Sequence, residues 1–239
     1  LFVTLYNDVM EYDPKNFTMK GENEDMFFLS QGHISPVWYS VLAHSGFFPV
    51  EELATFRKIN SRLQGHPTTH DGLPGIRIAS GSLGQGLSVA IGAAQAKKLN
   101  GDDKTVYCLM GDGEQQEGQV WEAAMYAAAK KIDNLISTVD VNAKQIDGST
   151  DDVLPMGSIQ AKFEAFGWNV QEINGHDMDQ IVNALDKDKI VPAKPTCIVA
   201  HTNKGAGISF MSDDVTWHHR VPNAEQYKQA MDELKKAAE

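Results

Sequence analysis

Gly111-Asp112-Gly113-Glu114 follows the apolar run Val106–Met110, and Asn142 stands 30 residues after Asp112, at the end of the next apolar run. The Ala-rich stretch Gly118–Lys131 between them reads as a helix, so the spacing describes a strand–helix–strand unit. A unit of that kind pairs its strands in parallel and brings Asp112 and Asn142 to neighbouring strand ends. A carboxylate, an amide oxygen and a nearby main-chain carbonyl, that of Lys144, make an all-oxygen donor set. Mg²⁺ or Ca²⁺ takes such ligands and commonly shares them with phosphate oxygens and water. The flanking glycines let backbone N–H groups approach a phosphate closely. Gly-Asp-Gly alone is a common turn, and the asparagine at the matching strand end is what makes it a candidate ligand site.

The elements that must position these residues are legible as alternating apolar runs and helical segments. Met26–Leu29, Thr105–Met110, Leu135–Val141, Trp168–Ile173 and Thr196–His201 are predicted strands of nearly continuous apolar character. Predicted helices cover Ser35–Ser45, with Pro36 in the first turn, then Val50–Ile59, Leu87–Leu99, Gly118–Lys131, Ser158–Phe166 and Met178–Leu185. A last helix runs from about Asn223 to the end, and small residues mark Leu87–Leu99 as closely packed and buried. Residues 60–80 read as irregular and Asn142–Gly148 as a loop. The alternation predicts an α/β fold, a parallel twisted sheet with helices on both faces. Sheets of this kind place ligands beyond the carboxyl ends of their strands.

Composition removes several classes. The chain has 239 residues, 32 Asp+Glu against 21 Lys+Arg and a formal charge of −11. That balance argues against nucleic acid or an anionic membrane surface as partner, since both need a basic face. The acid surplus lies in residues 1–25 and 145–239, while 26–144, which carry most of the motifs, are nearly balanced. No apolar run approaches the ~20 residues of a membrane span. Cys108 and Cys197 each sit inside an apolar run, which predicts buried, reduced thiols and a cytoplasmic setting.

The Gly-Asp-Gly and asparagine pair resembles the signature of thiamine-diphosphate-binding folds, and the resemblance to transketolase extends over nearly the whole chain. It is carried, in order, by Leu29-Ser30-Gln31-Gly32-His33, Gly65-His66-Pro67, Leu73-Pro74-Gly75, Gly81-Ser82-Leu83-Gly84-Gln85-Gly86 and Gly111–Gly118, then by Gln145-Ile146-Asp147-Gly148 and Trp217-His218. The resemblance implies that Asp112, Asn142 and the Lys144 carbonyl hold the divalent metal, and that Gly113 contacts the diphosphate. It implies that His33 and His218 face the diphosphate, that His66 lies near the reactive carbon and the substrate hydroxyls, and that Gly81, Ser82 and Leu83 line the aminopyrimidine. Lys204 matches a position near the cofactor, and Glu117 and Glu122 match carboxylates that couple the halves of the family's dimer. His66, His218 and Glu117 are the catalytic candidates. The implied reaction transfers a two-carbon ketol unit between sugar phosphates, as in the pentose phosphate pathway.

Each assignment has a plainer rival. His33 follows a glycine and precedes a helix, where it could cap, and Glu117 and Glu122 read as solvated acids without the resemblance. Gly81–Gly86 lacks the Lys-Ser/Thr of a phosphate loop, and no dinucleotide-type Gly-x-Gly-x-x-Gly turn follows the first strand. Deoxyxylulose-phosphate synthase shares the motif, but Gln145–Gly148 and Trp217-His218 look more like transketolase; a non-catalytic homologue binding a nucleotide or partner is the other alternative. Gln31 replaces a lysine common in the family, and His219 stands where glycine is usual. The expectation is one thiamine-diphosphate-binding domain over residues 1–239, with 205–239 a C-terminal loop and helix. The family's early Ser-Gly-His-Pro-Gly segment would precede Leu1, and its pyrimidine-binding and C-terminal domains are absent from this sequence. A second chain carrying the pyrimidine-binding domain is therefore the expected partner, in a homo- or hetero-oligomer. The length and the Lys/Ala/Glu-rich closing helix favour a naturally split enzyme over a fragment.

Overall fold

The computed structural model describes residues 1–238. Five runs of apolar residues form one parallel sheet: β1 (Met26–Leu29), β2 (Val106–Gly111), β3 (Leu135–Val141), β4 (Asn169–Asn174) and β5 (Thr196–His201). Their spatial order is β1-β2-β3-β5-β4, so the chain steps outward to β4 and returns to lay β5 against β3. The register aligns the carboxyl ends, with Gly111 opposite Asp140 and Val141 opposite His201. β1 and β2 are buried along their full length, as strands covered on both faces are.

Five longer helices flank the sheet, α1 (Ser35–His44), α2 (Gly86–Leu99), α3 (Gly118–Ala129), α4 (Ile159–Ala165) and α5 (Met178–Ala184), and α6 (Ala224–Ala237) is tied to Ser209 in the loop after β5. Side-chain caps set several starts. Ser158 accepts from Ala161 N ahead of α4, Asp177 from Gln180 N ahead of α5, and Asn223 with Gln226 forms a capping box ahead of α6. Aromatic groups lock two parts of the core. Trp38 donates to the Tyr6 hydroxyl at 2.9 Å and packs edge-on to Phe27. Elsewhere Trp168 donates to the Ala124 carbonyl at 2.9 Å and packs against Phe163. Cys108 and Cys197 are buried and unpaired, as the sequence predicts.

Three expectations need correction. The predicted helix Val50–Ile59 is only a 3₁₀ segment, Val50–Thr55, because Phe56 leaves the helical region (ψ 126°) and Arg57 and Asn60 then take left-handed backbone angles (φ 57° and 63°). α2 is not buried all round: Val89 is 41% exposed, and a Cβ on Gly92 would meet open space. Between Asn142 and Gly148 the loop contains a short hairpin, Lys144–Gln145 against Gly148–Ser149.

At the foot of β1, opposite the ligand edge, Asp25 is fully buried. It accepts from Thr105 N at 2.7 Å and Glu11 N at 2.8 Å, and pairs with Lys187 at 2.9 Å. Asp25→Ala leaves buried donors unmet and an ion pair broken, and should cost about 3 kcal/mol in urea unfolding. A loss under about 1 kcal/mol would show that this network does not hold the sheet's amino edge.

Candidate functional site

The carboxyl edge gathers the chemistry-bearing residues because parallel strands all end there. Asp112 closes β2, and its N–H donates to the Asp140 carbonyl at 3.1 Å. Its side chain is 4% exposed and accepts from Gly113 N at 2.7 Å and from Ala143 N. Burial pushes its carboxyl above the ordinary range, against the pull of those backbone donors. No Lys, Arg or His forms a salt bridge with it among the described residues. Asn142 closes β3, donates to Asp140 Oδ2 at 3.2 Å and accepts from Lys144 N at 3.0 Å through Oδ1. Ala143, with φ 59°, turns the chain into the hairpin that carries Lys144.

This donor set fits a divalent cation. A buried carboxylate without a salt-bridge partner stands beside an amide oxygen, with a carbonyl next in sequence, all hard oxygen donors. Among the described residues no three His, Cys, Asp or Glu side chains form a metal cage. A cation here would therefore need further oxygens from water or a phosphate.

Above the ends of β1 and β2 lie two imidazoles. His33 sits in the 3₁₀ turn Gly32–Ile34, and its ring meets that of His66 edge-on at 4.7 Å. Close packing here requires glycine. A Cβ on Gly32 would lie 2.8 Å from Gly81 N, and one on Gly81 (φ 128°) 2.7 Å from the His66 ring. Ser82 is exposed, and the Leu83 carbonyl accepts from Gln119 Nε2 at 3.3 Å. Partial burial lowers the pKa of His33, and the neighbouring His66 lowers it further. His218, in the 3₁₀ turn Val215–His218, is lowered by partial burial and then by Lys204, His33 and His219. Half-buried Lys204 is lowered by desolvation, against the opposing pull of Asp140 and Asp112. Lys204, His218 and His33 thus share one electrostatic environment with the carboxylates of β2 and β3. Bound polyanionic charge would raise all three.

The remaining candidates separate. Gly113 backs onto Gln145, whose Cβ would be 3.3 Å from a Cβ added to the glycine. Lys144 pairs with Asp213 at 3.3 Å, tying the hairpin to the loop after β5. Glu117 is exposed but lies directly against Gly84, where an added Cβ would come within 2.8 Å of its own. Glu122 is exposed on α3 and stands apart from the cluster. Gln31 has a buried amide nitrogen without a partner, and it lines a cavity of about 470 Å³ with Ile34, Asp140 and Thr202.

Two residues escaped the sequence reading. Asp140 joins the site by accepting from Asn142 and Thr202. The signal was its place two residues before Asn142, since alternate strand residues share a face. Glu114, 2% exposed, accepts from Ser30, Gly84 and Gly111, and burial raises its carboxyl.

Comparison with known proteins agrees with this fold. The family model described as "Transketolase, thiamine diphosphate binding domain" matches residues 1–235. An apulose-4-phosphate transketolase subunit from Phocaeicola vulgatus is 40% identical over 239 residues, spanning 100% of this chain and 84% of the relative. The 6-deoxy-6-sulfo-D-fructose transketolase subunit SqwG of Clostridium sp. (strain MSTE9) is 39% identical over 236 residues, covering 99% and 85% respectively. Among solved structures, transketolase from Campylobacter jejuni superposes with a TM-score of 0.83 at 33% identity, covering 97% of this chain and 37% of that one.

Proposed function

The chain belongs to the transketolase family, as its thiamine-diphosphate-binding domain, and from that membership we propose that it is the diphosphate- and metal-binding subunit of a two-chain transketolase. The observation that carries the proposal is the Asp112–Asn142–Lys144 oxygen set at the ends of β2 and β3, beside Lys204, His33 and His218. Asp112, Asn142 and the Lys144 carbonyl would hold Mg²⁺, or Ca²⁺ in its place, and Gly113 would offer its backbone to the diphosphate. Thiamine diphosphate, when bound, supplies the carbon that accepts a two-carbon ketol unit from a ketose phosphate and yields it to an aldose phosphate.

The chain's own residues bind, orient and move protons. His33, His218 and Lys204 meet the diphosphate charge; burial lowers the pKa of all three, and a bound anion would raise them. His66 faces the substrate hydroxyls and can exchange a proton with them. Gly81, Ser82 and Leu83 line the far end of the cofactor. Exposed Glu117 and Glu122 would meet the partner chain, which would bring the pyrimidine-binding half of the site.

Two relatives are named for apulose 4-phosphate and 6-deoxy-6-sulfofructose, which makes both donors worth testing beside ordinary sugar phosphates. The Trp217-His218 and Gln145–Gly148 motifs favour this reading over a deoxyxylulose-phosphate synthase. Buried, unpaired Cys108 and Cys197 fit the reducing cytoplasm as the chain's setting. Calorimetry with thiamine diphosphate, with the partner chain present, should show binding that requires Mg²⁺ and disappears with a chelator. Absence of heat at millimolar cofactor and metal would reject the assignment.

A further inference from the structure

Glu114 is a buried carboxylate for which the metal and cofactor contacts above have no use. Its Oε1 accepts from Ser30 Oγ and from Gly84 N at 2.7 Å, and its Oε2 accepts from Gly111 N at 3.1 Å. Ser30 Oγ in turn accepts from Gly86 N at 3.0 Å. One side chain from the turn after β2 therefore joins the end of β1, the end of β2 and the glycine loop 81–86. The approach is close enough that a Cβ on Gly86 would sit 2.4 Å from that of Ser30. Among the described residues no Lys or Arg pairs with Glu114, so backbone N–H and hydroxyl donors alone satisfy its oxygens. A carboxyl group kept in this way is an expensive filler for a core, because an apolar side chain would avoid the desolvation cost. What the carboxylate does uniquely is accept from separate segments at once.

The loop runs from Gly84 back to Gly81, which is pressed against His66, and His66 meets His33. Resting on the function proposed above, we propose that Glu114 is a positioning residue. It holds the 81–86 loop on the ends of β1 and β2, so that Gly81, Ser82, Leu83 and His66 are already in place for the thiamine end of the cofactor. The metal end does not depend on it, since Asp112 and Asn142 are held by Gly113, Ala143, Asp140 and Lys144.

Glu114→Gln is the test, because its amide turns an NH₂ toward at least one N–H or O–H that the carboxylate accepts. In the cofactor-free chain, amide exchange over residues 83–87 should accelerate at least tenfold while β2 and β3 keep their protection. With the partner chain present, the Kd for thiamine diphosphate at saturating Mg²⁺ should rise at least tenfold. The Kd for inorganic pyrophosphate with Mg²⁺ should stay within twofold of wild type. Ser30→Ala, which removes one strand of the same network and only a hydroxyl, should show the same split more weakly, and it decides the matter if Glu114→Gln does not fold. Wild-type exchange and wild-type thiamine diphosphate affinity in the variants would overturn the inference, and so would equal loss of both ligands. A wild-type chain that binds neither ligand would instead overturn the proposed function.

Discussion

Asp112→Ala should abolish Mg²⁺-dependent binding of thiamine diphosphate, with affinity falling at least about 100-fold, while the chain stays folded. The affinity loss follows from the donor set: with one amide oxygen and one carbonyl left, the cation keeps no anionic protein ligand at this edge. The retained fold follows from opposing effects. Burial raises the Asp112 carboxyl, so the folded chain binds a proton more readily than the unfolded chain. The ionised form therefore weakens the fold once pH rises through the raised folded value, and the substitution removes that penalty. It also strips Gly113 N and Ala143 N of their acceptor, which costs about as much in the other direction. Urea unfolding of the cofactor-free variant should thus lie within about 1 kcal/mol of wild type. Retained metal-dependent affinity would remove Asp112 from the ligand set.

Ketol transfer should be undetectable with this chain alone and should appear when a pyrimidine-domain chain is added, a gain of about 10³-fold or more. The physical reason is the open side of the site. Ser82 and Gln85 in the glycine loop, and Glu117 directly against it, are exposed. Those exposed groups still need a cover before the proposed cofactor position is closed to water. Water exclusion and preorganised donors are what give such sites their electrostatic leverage. The assay is product formation from a ketose phosphate and an aldose phosphate, with cofactor and Mg²⁺ constant and the second chain titrated in. A rate from the isolated chain within tenfold of the mixture would defeat the two-chain proposal.

The sheet was legible because apolar runs of four to seven residues, such as Met26–Leu29 and Leu135–Val141, have few other structures open to them. The juxtaposition of Asp112 and Asn142 was legible for a related reason, since they end consecutive strands. Asp140 was lost inside its apolar run, where a lone acid gives no sign of its hydrogen-bond partners. Glu114 was lost because acids near a helix start are cheap on a surface, and its burial comes from Ser30 and Gly84, 84 and 30 residues away. The stretch Val50–Ile59 has helical composition, and the turn at Phe56 and Arg57 that stops it has no glycine to announce it. The histidine roles came from resemblance, since spacing alone cannot bring His33, His66 and His218 to one edge.

The strand order β1-β2-β3-β5-β4 also dictates when a site can exist during folding. Every neighbouring pair in the sheet is parallel, so each closes a long loop before its contacts repay the entropy. Ser30 and His218 come from opposite ends of the chain, and the carboxyl edge between them is complete only when β5 has inserted beside β3. Partly folded forms would hold isolated pieces of the cradle and no working version of it. A cofactor and metal bound as proposed would therefore meet their surface only in fully folded molecules, and their binding energy would draw the folding equilibrium toward that state alone.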